Sequence, residues 1–235
     1  MFDVILLTLM AGLAMPAGAM LATLGSVHPG WLEDEFRHGV IAFGGGALLS
    51  AVALVLVPEG IEHVSMSGAL AAFLAGGVAF MLLDEWLAKS QTPASQLAAM
   101  LSDFVPESIA LGAAFALGGS EGLLLAVLMA LQNLPEGFNA YREMRDSGGI
   151  PGRKVIGAFF FMAFLGPIAG VTGFLWLSEH PLVIGMVMLF ASGGILYSVF
   201  QDIAPQSRLE KRWVPALGSV LGFGSGLMGH LLVMS

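Results

Sequence analysis

Two apolar stretches in the middle of the chain each contain a Pro-Glu pair with a polar residue four positions before the glutamate. The first stretch has Asp103 and Glu107, and the second has Gln132 and Glu136. Residues four apart lie on one face of a helix, so each pair points in one direction. A carboxylate inside a bilayer costs at least about 2.5 kcal/mol and is found mainly where it faces a partner, water or a bundle interior. These residues therefore mark a binding site or a path across a membrane.

Proline precedes each of these glutamates, at Pro106 and Pro135. Proline in a helix removes one backbone hydrogen bond and leaves a carbonyl oxygen available beside the carboxylates. Asn133 adds an amide at the edge of the second pair. Three carboxylates without a nearby basic side chain cannot all stay ionised in a medium of low dielectric constant. We expect a divalent cation to bind among them, with protons as the alternative occupant.

The composition places the chain among membrane proteins. Hydrophobic residues make up 57% of the sequence and charged residues 11%, with a mean hydropathy of +0.85. A membrane-crossing helix needs about 20 residues, so 235 residues hold at most about eight of them. The apolar stretches predict one all-α transmembrane domain over 1–235. We expect no nucleic-acid partner. The eight predicted segments, numbered 1 to 8 below, cover 2–25, 38–58, 69–88, 97–117, 121–141, 154–177, 182–204 and 213–233.

The basic residues predict the orientation in the membrane. All nine lysines and arginines lie in or beside the connections that follow segments 1, 3, 5 and 7. The positive-inside rule places that side in the cytoplasm, and it places both termini outside the cell membrane. The first segment follows an acidic rather than a basic flank at Asp3, so we expect it to be retained and not cleaved as a signal peptide.

Segments 2 and 7 share a sequence pattern. Gly45-Gly46 is followed by Pro58 in segment 2, and Gly193-Gly194 is followed by Pro205 in segment 7. The two segments run in opposite directions, so the pattern predicts an inverted repeat of segments 1–3 and 6–8 around a central pair, segments 4 and 5. Secondary transporters use such repeats to alternate access to a site at the midplane. The alternative is that the small residues only allow close helix packing.

Polar residues at two segment ends are candidates for the path to and from the site. Glu59, Glu62 and His63 lie at the outer end of segment 2 and could capture a cation, and Gln201 and Asp202 near the inner end of segment 7 could release it. The alternative for both groups is an ordinary solvated loop or helix end.

With these features in place, the chain resembles the ZIP family of divalent metal transporters over nearly its whole length. The run 132–137 is similar to the segment-five motif His-Asn-Ile-Pro-Glu-Gly, with Gln132 in the position of histidine. The run 103–108 is similar to the segment-four motif His-Asn-Phe-Pro-Glu-Gly, with Asp103 and Phe104 in its first two positions. The resemblance implies import of Zn²⁺, Fe²⁺ or Mn²⁺ into the cytoplasm by alternating access, a homodimer and no prosthetic group. The ligands that it implies are Asp103, Glu107, Gln132 and Glu136, with Asn133 at the edge.

The chain departs from the family pattern in a second metal position. Family members with two metals take a bridging glutamate from segment 6 just before a proline, whereas this chain has Gly166 before Pro167. Phe104 also stands where the segment-four motif of the family has an amide ligand of the second metal, so we expect no second metal. The remaining ligands all donate oxygen, which favours harder ions such as Mn²⁺, Mg²⁺ or Fe²⁺ over Zn²⁺.

Two other functions remain open from the sequence. One is a ZIP-like scaffold that no longer transports, and the other is a proton-coupled carrier of an organic cation. We expect no enzyme, because the chain has no His-Glu-x-x-His, no Gly-x-Ser-x-Gly and no cysteine. It also has no phosphate-binding loop, so transport would follow the ion gradient or couple to protons. In this hypothesis the two three-segment repeats move about the central pair.

Overall fold

The computed structural model describes residues 1–24, 30–90, 93–117, 121–177, 179–209 and 212–234. These parts of the chain are helical apart from short connections, and they contain no β-strand. The α-helices are α1 (Phe2–Thr23), α2 (Gly30–Ala51), α3 (Val57–Glu62), α4 (Met66–Ser90), α5 (Pro93–Leu117), α6 (Glu121–Gly148), α7 (Gly152–Ala163), α8 (Leu165–Thr172), α9 (Pro181–Ser198), α10 (Ala204–Gln206) and α11 (Val214–Met234). Three π-helical stretches lie at Val52–Leu56, Gly173–Leu177 and Val199–Ile203.

The helices follow the order of the predicted segments. Segments 1, 3, 4, 5 and 8 are single helices, namely α1, α4, α5, α6 and α11. Segment 2 consists of α2, a π-helix and α3; segment 6 consists of α7, α8 and a π-helix; segment 7 consists of α9, a π-helix and α10. The prediction of an all-helical chain is confirmed.

Within the described residues, seven helical stretches are long and apolar enough to cross a membrane. They belong to segments 1, 2, 3, 4, 6, 7 and 8. Segment 5 is not among them, although α6 has 28 residues, which is about 42 Å of helix and exceeds a bilayer core of about 30 Å. Its hydropathy is lowered by Gln132, Asn133 and Glu136, the polar residues of the predicted site. The chain is therefore a multi-pass membrane protein.

The prolines of segments 2 and 7 lie just beyond π-helical turns. The π-helix Val52–Leu56 ends two residues before Pro58, and the π-helix Val199–Ile203 ends two residues before Pro205. Proline cannot donate a backbone hydrogen bond, and π-turns inside helices are rare and occur often at functional sites. The two segments thus share a paired glycine, a π-turn and a proline in the same order.

Packing divides the segments into two sets. In the first set, segment 1 packs along segments 5 and 6, and segment 4 packs on segments 5 and 6. In the second set, segment 2 packs along segment 8, and segment 3 packs along segment 7. Contacts of segment 2 with 5, and of segment 7 with 4, join the sets. Each set contains segments from both halves of the chain, so the halves do not pack as the two separate three-segment bodies that the sequence suggested.

Glycines allow the closest approaches inside each set. A β-carbon on Gly18 of segment 1 would collide with the carbonyl oxygen of Leu134, and one on Gly137 of segment 5 would collide with that of Met15. Reciprocal glycine contacts of the same kind join segments 2 and 8, 3 and 7, and 4 and 6. Small residues replace the hydrophobic effect as the basis of helix association inside a bilayer. The sets are held by backbone-to-backbone packing.

Polar contacts gather several basic connections at one end of the bundle. Arg212, before segment 8, forms an ion pair of 2.9 Å with Glu35 at the start of segment 2. Arg37 in segment 2 donates from Nε to Oδ1 of Asn139 near the end of segment 5, at 3.3 Å. We call this end of the bundle the basic side.

Candidate functional site

Glu107 and Gln132 meet in the middle of the bundle. The Gln132 Nε2 group donates a hydrogen bond of 2.6 Å to Oε2 of Glu107, and this bond joins segments 4 and 5. The exposed fraction is 0% for Glu107 and 1% for Gln132. Both helices continue through a proline nearby, and the pairs at spacing four place the polar side chains on the facing surfaces.

Three carboxylate or amide oxygens in this region are buried and have no hydrogen-bond partner among the described residues. They are Oδ1 of Asp103, Oε1 of Glu107 and Oε1 of Gln132. A buried acceptor without a donor costs about 1–3 kcal/mol, and more when it is charged. All three groups require a positive charge or a donor, so the site is chemically suited to a cation or to protons.

Glu136 completes the acidic cluster. Its carboxyl group interacts electrostatically with those of Asp103 and Glu107, and in the described part of the chain no basic side chain forms an ion pair with any of the three. Like charges repel more strongly in a medium of low dielectric constant than in water. A divalent cation would relieve this repulsion.

The site is not a preassembled metal cage. Across the described ranges, no three His, Cys, Asp or Glu side chains come together in a geometry that could hold a metal ion. In addition, the amide nitrogen of Gln132 occupies one oxygen of Glu107. To ligate a metal, Gln132 must turn its amide so that the oxygen faces the ion, because only that end of the group is an acceptor.

Asn133 has a different contact from its neighbours in the motif. Its Nδ2 group donates 2.9 Å to the carbonyl oxygen of Ala11 in segment 1, and its side chain is buried. This bond fastens segment 5 to segment 1. The contact that the structure gives Asn133 is therefore structural, and it is not with the carboxylates.

The Phe104 ring is packed between segments 4, 1 and 6. The ring is 1% exposed, and its Cζ atom would lie 2.8 Å from a β-carbon on Gly12 and 2.7 Å from one on Gly166. A large apolar residue on segment 4 is thus accommodated by glycines on segments 1 and 6. The side chains of Phe104, Gly12 and Gly166 offer no ligand for a metal ion.

Acidic residues continue from the cluster toward the basic side. Asp202 in segment 7 is half-buried and interacts electrostatically with Asp103. It also interacts with Asp84 of segment 3 and Glu143 of segment 5. Gln201, its neighbour in the sequence, is exposed. Of the two residues predicted for the inner end, the structure brings only Asp202 close to the cluster.

Asp84 is a residue that sequence patterning would assign to a solvated helix end together with Glu85. Instead, Asp84 is half-buried and accepts a hydrogen bond of 3.1 Å from the hydroxyl of Tyr197 in segment 7. Phe80 lies four residues earlier on the same face of α4 and packs against Gly194 of segment 7. The spacing of four in the sequence puts Asp84 on the same face of α4 as Phe80, and the structure shows that this face meets segment 7.

The residues predicted for the outer end lie at the end of α3. Glu59 is half-buried, whereas Glu62 and His63 are exposed. The structure places Glu62 and His63 at the surface on segment 2, whereas the buried Glu107 lies on segment 4. A role in capturing ions and a role as solvated loop residues both agree with this placement.

The functional interpretation rests on the chemistry of the buried acidic cluster. Comparison with protein-family models and with curated proteins finds no match to this chain.

Proposed function

We propose that the chain transports divalent metal cations of the Zn²⁺, Fe²⁺ or Mn²⁺ class across the cell membrane toward the cytoplasm, as the resemblance to the ZIP family implies. The observation that carries the proposal is the set of buried acceptor oxygens on Asp103, Glu107 and Gln132, which lack donors among the described residues. Together with Glu136 they offer only oxygen ligands, and hard divalent ions prefer such ligands. The metal is the substrate, and no prosthetic group is part of the proposal.

The proposed topology has eight membrane-spanning segments, with segment 5 as the eighth and both termini outside. Its support is the placement of all nine lysines and arginines beside the connections of one side and the contacts that gather several of those connections. Cytoplasmic connections carry an excess of basic residues. A homodimer is included in the proposal on the resemblance alone.

The inverted repeat is also part of the proposal. In this repeat, segment 1 corresponds to segment 6, 2 to 7, 3 to 8, and 4 to 5. The contact between segments 1 and 5 then corresponds to the contact between segments 6 and 4. Likewise, the contact of 2 with 8 corresponds to that of 7 with 3. All four of these contacts are extensive. The matching π-turns before Pro58 and Pro205 add independent support.

In the proposed mechanism, a cation from outside passes Glu59 and His63 and reaches the buried cluster. The cation displaces the amide nitrogen of Gln132 from Glu107. It is then bound by oxygens of Asp103, Glu107, Gln132 and Glu136. It then leaves toward the basic side past Asp202, which interacts with Asp103. Access would alternate by movement of the first set of segments against the second, since the cluster lies on segments 4 and 5 and Asp202 lies on segment 7.

A scaffold that no longer transports is the second candidate. The observation that favours it is the Gln132–Glu107 hydrogen bond together with the lack of a preassembled metal geometry in the described residues. A carrier of an organic cation would use the same acidic cluster, but its stability would depend on pH or on the organic ion and not on metals.

Thermal unfolding of the purified protein in the presence of metals tests the proposal. A ligand that binds only the folded state at about 100 times its Kd stabilises that state by about 2.7 kcal/mol. We expect Mn²⁺ to raise the Tm of the native chain and to leave the Tm of Glu107→Gln/Glu136→Gln unchanged. Without metal, the double variant should unfold at a higher temperature than the native chain, because removing uncompensated buried charges relieves repulsion.

Glu85→Gln is the matched control, because Glu85 is exposed and pairs with Lys89 outside the cluster. It should keep the full metal-dependent rise in Tm. A native chain that shows no rise with Mn²⁺, Fe²⁺ or Zn²⁺ would favour the scaffold, and a rise that persists in the double variant would place the metal elsewhere.

A further inference from the structure

A polar tie crosses from one set of segments to the other at the basic side. Arg37 of segment 2 donates from Nε to Oδ1 of Asn139 of segment 5 at 3.3 Å. Asn139 then donates from Nδ2 to Oε1 of Gln206, at the end of segment 7, at 3.1 Å. Asn139 uses both ends of its amide and belongs to the first set, whereas Arg37 and Gln206 belong to the second. We call these three residues the basic-side tie.

Tight apolar packing lies next to the tie. A β-carbon on Gly44 of segment 2 would lie 3.0 Å from Cγ of Pro135 in segment 5, and one on Gly45 would lie 2.8 Å from Cγ2 of Ile203 in segment 7. Pro135 directly precedes Glu136, and Ile203 directly follows Asp202. Segments 2, 5 and 7 are therefore in close contact between the acidic cluster and the tie.

A cavity of about 290 Å³ adjoins the tie, and Arg37 and Gln206 both line it. Its other lining residues are His38, Ile41 and Glu143. Glu143 interacts electrostatically with Asp202, which in turn interacts with Asp103 of the cluster. The cavity thus lies on the line of acidic residues that leads from the cluster to the basic side.

The charge of Arg37 suits a barrier at this place. Arginine stays protonated under all ordinary conditions, so the Arg37 guanidinium group repels a divalent cation that approaches from the cluster and opposes the attraction of Glu143, which lines the same cavity. The tie holds that group in position through Asn139. Hydrogen bonds near solvent are weak enough individually to break and re-form as the sets move.

We propose that Arg37, Asn139 and Gln206 form the gate of the cytoplasmic exit, which is closed while the tie is intact. This inference rests on the proposed function for its purpose, since a gate needs a transported ion. Opening requires both hydrogen bonds of Asn139 to break, so that segment 5 separates from segments 2 and 7 and Arg37 leaves the cavity. Asn139 is a positioning residue in this gate, and it does not ligate the ion.

Water access to a single introduced cysteine tests the gate without any need for transport. The native chain has no cysteine, and Ile41, which lines the cavity, is only 6% exposed. In an Ile41→Cys background, Asn139→Ala should raise the rate of labelling by a membrane-impermeant maleimide about three- to tenfold, because the two hydrogen bonds that hold the gate closed are lost. The reagent is applied from the basic side.

Arg212→Ala is the matched control in the same background. It removes a polar contact at the same side, but Arg212 and Glu35 join segments of the second set only, so the labelling rate should stay that of the parent. Asn139→Asp, which keeps the acceptor for Arg37 and loses the donor to Gln206, should give an intermediate rate and serves if Asn139→Ala does not fold. Equal rates for the Asn139 variants and Arg212→Ala would overturn the gate.

Metal uptake into proteoliposomes separates this proposal from the proposed function. Faster labelling of the Asn139 variants in a chain that moves no metal would support the tie as the closure of the cavity and reject metal transport. Unchanged labelling in a chain that does move metal would reject the gate alone. A disulfide formed in Asn139→Cys/Gln206→Cys should stop uptake, and reduction should restore it; uptake that continues with the disulfide formed would also overturn the gate.

Discussion

The hydrogen bond between Gln132 and Glu107 satisfies one carboxylate oxygen of the buried cluster. The amide donor compensates part of one carboxylate, and the amide oxygen stays buried without a partner. When a metal enters, the Gln132 side chain can rotate so that its amide oxygen, and not its amide nitrogen, faces the ion. The glutamine that stands in place of the histidine of the ZIP motif is therefore the residue that supplies a hydrogen-bond donor to Glu107.

Phe104 gives a testable prediction at the residue scale. Phe104→Ala should lower the free energy of unfolding by about 3 kcal/mol, because the ring fills a closed space against Gly12 and Gly166 that the smaller side chain leaves empty. The measurement is thermal or denaturant unfolding in detergent. Phe161→Ala is the control, since Phe161 is 76% exposed on segment 6 and should change stability little. Equal losses in the two variants would mean that Phe104 does not fill a packed space.

The predictable part of the site follows from helical spacing. Glu107 and Gln132 belong to pairs spaced by four, and a short connection makes segments 4 and 5 neighbours, so their approach could be predicted. The Tyr197–Asp84 and Asn133–Ala11 bonds could not, because they depend on the axial register of segments far apart in the sequence. Spacing fixes which face a side chain occupies, and it leaves open which helix that face meets.

At the scale of elements, reciprocal glycine contacts hold each helix pair together. Segment 8 has only a small part of its surface buried, and Gly222 is one of the positions where it reaches the backbone of segment 2. Hydropathy predicted the helices and their order, because apolar length alone identifies them. It did not predict the π-turns or the break at Phe164, because both arise from shifts in backbone hydrogen bonding that leave the apolar pattern unchanged.

Gly222 and Gly224 provide a matched pair within one helix. A β-carbon on Gly222 would collide with the carbonyl oxygen of Phe43 and lie 2.9 Å from the Ala47 nitrogen, whereas one on Gly224 would meet nothing within 4 Å. Gly222→Ala should therefore destabilise the protein by about 1–3 kcal/mol through overpacking. Gly224→Ala should be neutral or stabilising by up to about 1 kcal/mol, as alanine is the better helix former. The Tm in detergent measures both, and an equal fall would show that segment 8 does not pack closely on segment 2.

At the scale of the whole molecule, the boundary between the two sets of segments brings the candidate features together. The acidic cluster lies on the first set, Asp202 and Asp84 lie on the second, and the basic-side tie joins the two. Extensive packing within each set and sparser packing between them would allow the sets to move as bodies. A buried cluster at such a boundary can be exposed to one side at a time.

Metal uptake by proteoliposomes tests the central claim most directly. Vesicles that contain the protein and a metal-sensitive dye are exposed to Mn²⁺, Fe²⁺, Zn²⁺ and Mg²⁺ in turn, with the native chain, Glu107→Gln/Glu136→Gln and Glu85→Gln in parallel. We expect the native chain and Glu85→Gln to take up at least one of these metals at the same rate, and the double variant to match protein-free vesicles. Uptake that is undiminished in the double variant, or absent from the native chain for every metal, would contradict transport through this cluster.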